Sequence, residues 1–307
     1  MAAVILSIVS IVSGRAQAAE LYATSIAGSQ IDKVDTVANT VTTYLNTPSA
    51  ADSIMFDSTQ RVIYTQLFSG QVRRFDPTNS TDVAIAGGFN EPADITLEPG
   101  GQTMLVSEFL GGKIDRVNLT TNAVSTLLAP GANPEGLAYD GARLFANLGS
   151  RSGGPTGKFM AEINPTTGAI LATSPDLDSL DGLTFDPYTG LLYATSVFGN
   201  LVYSIDPNNL SVVHDVTSKI GSIPGPDGIT TDGVGNIYIA SSGSLGDSHI
   251  YQLDLINQTL TQKTFVNGLD DLAPLSGLGS IPEPSSFVLA GFGFAVLAAW
   301  HWRRRKR

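Results

Sequence analysis

The chain contains no cysteine, which excludes both a disulfide framework and thiolate metal sites. Histidine is almost as scarce: of the three present, only His214 and His249 lie outside the C-terminal tail. No Ser/His/Asp constellation, phosphate-binding loop, His/Cys metal cluster or dinucleotide fingerprint occurs. Basic residues are also few, 17 against 28 acidic ones, for a formal net charge of −11. That imbalance argues against nucleic acid and anionic lipid as partners. An acidic chain of this kind is soluble and has an affinity for divalent cations.

What is present is concentrated first at the two ends. The last 27 residues read IPEPSSFVLAGFGFAVLAAWHWRRRKR. Ser285 to Trp302 is an apolar run of 18 residues, which as a helix would rise roughly 27 Å and cross a hydrocarbon core. Trp300 and Trp302 mark an interfacial end. The basic cluster Arg303, Arg304, Arg305, Lys306 and Arg307 anchors that end on the cytoplasmic side. At the other end, Ala2 to Val12 is apolar and Ala16-Gln17-Ala18 supplies a small-x-small cleavage site. No Lys or Arg precedes this run, a departure from the usual signal peptide. Removing both ends takes six of the 17 basic residues and leaves a strongly acidic body.

Pro282-Glu283-Pro284, one span and an Arg-rich tip, in that order, resemble the PEP-CTERM sorting signal of Gram-negative bacteria. The resemblance implies export through the Sec translocon and recognition by exosortase, a membrane-embedded protease. It also implies an inner-membrane-anchored precursor, with a mature form that is periplasmic, cell-surface or extracellular and associated with exopolysaccharide.

The body between the signals is periodic. Leu183–Phe185, Leu191–Ser196, Leu201–Ile205 and Leu210–Val213 read as four short strands separated by turn residues. Equivalent units start at Asp52, Ala93, Glu135, Asp181 and Asp227, in steps of 41, 42, 46 and 46 residues. A sixth start, Asp270, has no complete unit after it. The missing strands are at the N-terminus: Leu21–Ser25, Gln30–Val34 and Thr40–Leu45. A period of this length with four strands per unit predicts an all-β, six-bladed β-propeller closed by N- and C-terminal strands. The expected division is a signal peptide at 1–18, the propeller at 19–276, a linker at 277–280, and at 281–307 the sorting segment with a single transmembrane helix.

The unit D/E-G-L/I-x-x-D…G-x-I/L-Y-x-A…I-x-x-x-D-P resembles the NHL-repeat and gluconolactonase/strictosidine-synthase-like propellers. In the register just before the inner strand, five of six residues are acidic: Asp52, Glu135, Asp181, Asp227 and Asp270, with Ala93 as the exception. Inner strands of a propeller line its channel, so these carboxylates converge at one mouth, where like charges repel unless protonated or neutralised. Oxygen donors of this kind suit Ca²⁺ or another divalent cation. The resemblance implies that Glu135, Asp181 and Asp227, each followed by Gly, are ligands of a catalytic metal that polarises a lactone or ester carbonyl. The alternative is structural: the acid hydrogen-bonds nearby backbone, and the Gly permits close strand approach. The absence of Asn in this register, and of a His near it, departs from the lactonase pattern.

Loops after the second strands carry Phe68, Glu108, Phe109, Asn147, Arg151 and Phe198. Aromatics there either stack on sugar rings or pack beneath the loops, and packing is the expected outcome. Two functions follow. One is an exported binding or scaffold module with a polysaccharide or small-molecule ligand. The other is a divalent-metal-dependent hydrolase of the lactonase type.

Overall fold

A computed structural model describes residues 20–129, 131, 133–149 and 159–274. The predicted signal peptide, the sorting segment with its apolar run, and Arg151 lie outside them. Strands β1 (Glu20–Ser25), β2 (Gln30–Asp35) and β3 (Thr40–Asn46) open the chain. The second group is β4 (Ala51–Phe56), β5 (Val62–Gln66), β6 (Gln71–Asp76) and β7 (Thr81–Gly87). The third is β8 (Pro92–Leu97), β9 (Thr103–Glu108), β10 (Lys113–Asn118) and β11 (Val124–Leu128). The fourth is β12 (Pro134–Tyr139), β13 (Leu144–Leu148), β14 (Phe159–Ile163) and β15 (Ile170–Thr173). The fifth is β16 (Leu180–Asp186), β17 (Leu191–Ser196), β18 (Leu201–Asp206) and β19 (Asn209–Asp215), followed by one helical turn, α1 (Thr217–Ile220). The sixth is β20 (Pro226–Thr231), β21 (Asn236–Ser241), β22 (His249–Asp254) and β23 (Thr259–Phe265), after which β24 (Leu269–Pro274) stands alone.

These form six four-stranded antiparallel sheets, and the sheet β24-β1-β2-β3 joins the two ends of the body. Leu21 pairs with Pro274 and Ser25 with Leu269. The predicted six-bladed, end-closed propeller is the fold observed. Among the described residues, no helix is long and apolar enough to cross a membrane.

The repeat's acids divide by what they do. At every turn between third and fourth strands an Asp or Asn side chain accepts backbone N–H groups. Asp35 takes those of Val37 and Ala38 at 2.8 and 2.7 Å, and Asn118, Asn164, Asp206 and Asp254 do the same in their blades. The recurring Asp-Pro and Asn-Pro pairs are therefore turn chemistry. The Asp at the end of an inner strand likewise builds the next hairpin. Asp57 takes the amides of Thr59 and Arg61, and Asp232 those of Val234 and Asn236.

Blades pack face to face, so the second strand of each is buried on both sides. The seam between the first two blades holds Tyr22, Tyr44, Phe56 and Phe75 in edge-on contacts at 4.8 to 5.8 Å between centroids. Fourth strands such as β15 stay exposed.

Candidate functional site: the channel and its rim

The six inner strands enclose a channel cavity of about 140 Å³. Asp52, Ala93, Glu135, Asp181, Asp227 and Asp270 all line it. The structure thus brings all five predicted acids to one cavity. Glu135, Asp181, Asp227 and Asp270 are buried and Asp52 is half-buried. Among the described residues, no group of three or more His, Asp or Glu side chains is gathered as metal ligands would be. The acids are distributed around the ring, one to a blade, rather than focused on a point.

The next position along each inner strand is Ser53, Asp94, Gly136, Gly182, Gly228 or Asp271. Here every inner strand leaves its regular pairing. The freed amides are met by hydroxyls of the neighbouring strand. Thr65 accepts from Ser53 N, Ser107 from Asp94 N, Thr195 from Gly182 N and Thr24 from Asp271 N, at 2.8 to 2.9 Å. In the fourth blade Asn147 instead donates to the Asp181 and Gly182 carbonyls of the next blade, at 2.8 and 3.2 Å. The signal was present but unread: a polar residue, Thr24, Thr65, Ser107, Asn147 or Thr195, near the end of five of the six largely buried second strands.

The three glycines have a steric cause. A Cβ on Gly136 would run into the Asp181 carbonyl and lie 2.6 Å from Leu183 N. One on Gly182 would meet the Asp227 carbonyl, and one on Gly228 the Asp271 carboxyl. The Glu-Gly and Asp-Gly motifs therefore have a packing role, whatever their side chains do.

The blades without this glycine carry side chains that sequence reasoning passed over. Ser53 Oγ lies 2.8 Å from Asp94 Oδ1 and 3.0 Å from Asp271 Oδ2. Asp94 also accepts the amides of Leu137 and Ile95, both at 2.6 Å. Asp271 accepts Ile54 N at 3.2 Å. Ala93 interrupts the outer ring of acids, yet its own blade still sends a carboxylate into the channel one residue later. Burial is the chief cause that raises the Asp94 carboxyl to about 7, against the pull of the Leu137 amide and the Ser53 hydroxyl; the Asp181 charge adds to the rise. Burial, then the Asp94 charge, raises Asp271 well above the usual carboxylate range. Both nevertheless retain accessible surface, and both line the cavity.

The loops beyond the second strands share a face with the start of the inner strands, as the bond from Ile26 N to Gly268 O shows. Phe68 is 77% exposed there and Phe198 42%, so neither packs beneath its loop. Leu110 and Leu245, in the corresponding loops of other blades, are exposed as well. Glu108 and Asn147 are instead buried strand ends; Glu108 pairs with Lys113 at 2.9 Å. Phe109 is half-buried. His214 sits on the outermost strand of its blade, and His249 begins a third strand, held by the Asp247 carbonyl at 2.9 Å.

Comparison with known proteins separates the two parts of the chain. Residues 280–306 match the PEP-CTERM protein-sorting motif. No curated protein matches the chain. The propeller is similar to one in a nidogen/laminin complex, at 17% identity and TM-score 0.68, over 82% of this chain and 97% of the other. It is similar to virginiamycin B lyase from Staphylococcus aureus at 16% identity and TM-score 0.58, over 81% and 82% of the two chains. Hydrazine synthase of Kuenenia stuttgartiensis gives 14% identity and TM-score 0.61, over 82% and 85%. At these identities the likeness is one of fold. The body is a six-bladed propeller, a fold shared with virginiamycin B lyase. The tail makes the protein an exported substrate of exosortase, with a membrane-anchored precursor in a Gram-negative cell.

Proposed function

We propose that the protein is a binding module of the cell envelope that takes a carbohydrate, such as exopolysaccharide, on the loop face of the propeller. The observation that carries this is the exposure of Phe68 and Phe198 on the face opposite the tail. β24 starts on the loop face and ends at Pro274 beside Leu21, on the other face. Seven residues, 275–281, separate Pro274 from the Pro-Glu-Pro triplet, a reach of at most about 25 Å. In the membrane-anchored precursor a tether this short would hold the Pro274 face toward the membrane and leave the aromatics facing outward. The channel is small against the roughly 300–1,000 Å³ of ordinary ligand pockets, which favours binding on the rim.

The double variant Phe68→Ala/Phe198→Ala should lose co-sedimentation with envelope polysaccharide while melting like the wild type. Equal retention of both proteins sinks the proposal. Deleting residues 281–307 should leave the exported body in the soluble fraction; unchanged membrane fractionation would count against sorting by the tail.

A second reading, a divalent-metal-dependent hydrolase, is favoured by the five acids lining one cavity. Calcium at a hundredfold excess over its Kd should then stabilise the fold by about 2.7 kcal/mol. Glu135→Ala/Asp181→Ala/Asp227→Ala should abolish that gain. A melting temperature indifferent to calcium removes this reading.

A further inference from the structure

The channel contains a hydrogen-bond chain that needs a proton neither reading uses. Ser53 has one hydroxyl hydrogen and can donate it to one acceptor only. Yet its Oγ is within hydrogen-bond distance of a carboxyl oxygen of Asp94 and one of Asp271. Were both carboxyls ionised, the second contact would set an oxygen lone pair against an anion. Two bonds form if one carboxyl keeps its proton and donates it to Ser53, while Ser53 donates to the other.

The two ends of the chain are not equivalent. Asp94 accepts from Leu137 N, Ile95 N and Ser53, at 2.6 to 2.8 Å, and is the better supported anion. Asp271 accepts the Ile54 amide at a longer 3.2 Å and also the Leu272 amide, but faces the charges of both Asp94 and Asp270, and is the natural proton holder. The order is Asp271 Oδ2–H to Ser53 Oγ–H to Asp94 Oδ1.

The chain crosses the place where the ring closes. Asp271 is on β24, the strand that locks the two ends of the body. Ser53 is on β4, Asp94 on β8, and the Leu137 amide on β12. One shared proton therefore links four consecutive blades.

We propose that Asp271, Ser53 and Asp94 form a proton latch at the closure of the propeller, tight when the pair holds one proton and loosened when it is lost to the channel. The charged groups around the pair are of one sign. Asp181 acts on Asp94 and Asp270 on Asp271. Asp52 on β4, Glu135 on β12 and Asp227 on β20 line the same cavity, which has no Lys, Arg or His among its described lining residues. Glu108 on β9 shares the Lys113 ammonium with Asp115. Among the described lining residues no cation offsets a second negative charge.

The sign follows from the raised carboxyls. Both bind a proton more tightly folded than unfolded, where the ordinary value is 3.8. Their stabilising effect is complete below about pH 4 and is lost as pH rises through the raised values of the folded pair, which titrates as a unit. Over that window the unfolding constant should grow by up to about tenfold per pH unit for each extra proton held by the folded state. Asp271→Asn supplies a permanent N–H donor to Ser53 and should flatten this slope; the exposed-carboxylate control Asp176→Asn should keep it. Infrared spectra at pH 6 should show a protonated-carboxyl C=O band that Asp271→Asn removes. Ser53→Ala keeps both acids, breaks the bridge and should shift the pH at which the band disappears. The latch is refuted if the wild type shows no such band, if its slope equals that of Asp271→Asn, or, should that variant not fold, if Ser53→Ala leaves the band's titration unchanged.

Discussion

A chain ending at Gly268 should fail to form a stable ring, whereas one ending at Ser280 should melt cooperatively. The difference between them contains β24. That strand buries Leu269 and Leu272 to 1% and 3% exposure and pairs with β1 from Ser25 to Leu21. It also packs between β4 and β20, so its loss uncovers apolar surface on both neighbouring blades. Removing a buried leucine side chain costs about 2–5 kcal/mol, and here two go together with a full hydrogen-bond ladder. A whole domain is stable by only about 5–15 kcal/mol. The shorter chain should therefore show no cooperative transition by circular dichroism. An unchanged melting temperature would mean that the ring does not depend on its closing strand.

The second large effect is expected from one added methyl group. Gly136→Ala and Gly182→Ala each push a Cβ into the backbone of the adjacent blade, where neither atom can rotate away. Overpacking typically costs 1–3 kcal/mol, and a backbone obstacle puts these variants at about the upper end. Gly87→Ala is the control: its Cβ would make ordinary contacts only, with the Gln71 side chain at 3.7 Å and the Gly70 carbonyl at 3.8 Å. Denaturant melts should show the two channel variants destabilised by about 3 kcal/mol and the control nearly unchanged. Equal stability of all three would remove the packing explanation of the Glu-Gly and Asp-Gly motifs.

Those motifs show how far the sequence could be read. Asp181-Gly182 and Asp227-Gly228 located their inner strands, because the spacing of turn residues is local information, but the acids expected just before those strands lie inside them, at the second position. The chemistry expected of the acids was harder to read. A line of sequence does not reveal that Gly136 abuts the Asp181 carbonyl, or that Asn147 reaches across to the same atom. Asp94 and Asp271 were overlooked because they occupy the register that glycine fills in three other blades. Glu108 and Asn147, read as rim residues, are buried; Phe68, read as packed, is exposed. Exposure depends on how far a loop projects from neighbouring blades, and no local pattern encodes that.

The sequence by itself determined the blade count, the pairing of the two ends and the sorting tail, because strand alternation, turn chemistry and an apolar run followed by arginines are all contiguous in the chain. The tertiary structure alone decided which acids build turns, which line the channel, and which pair must share a proton. Asp94 and Asp271 are 177 residues apart in the chain and meet through Ser53 only because closure of the ring sets β24 beside β4 and β4 beside β8.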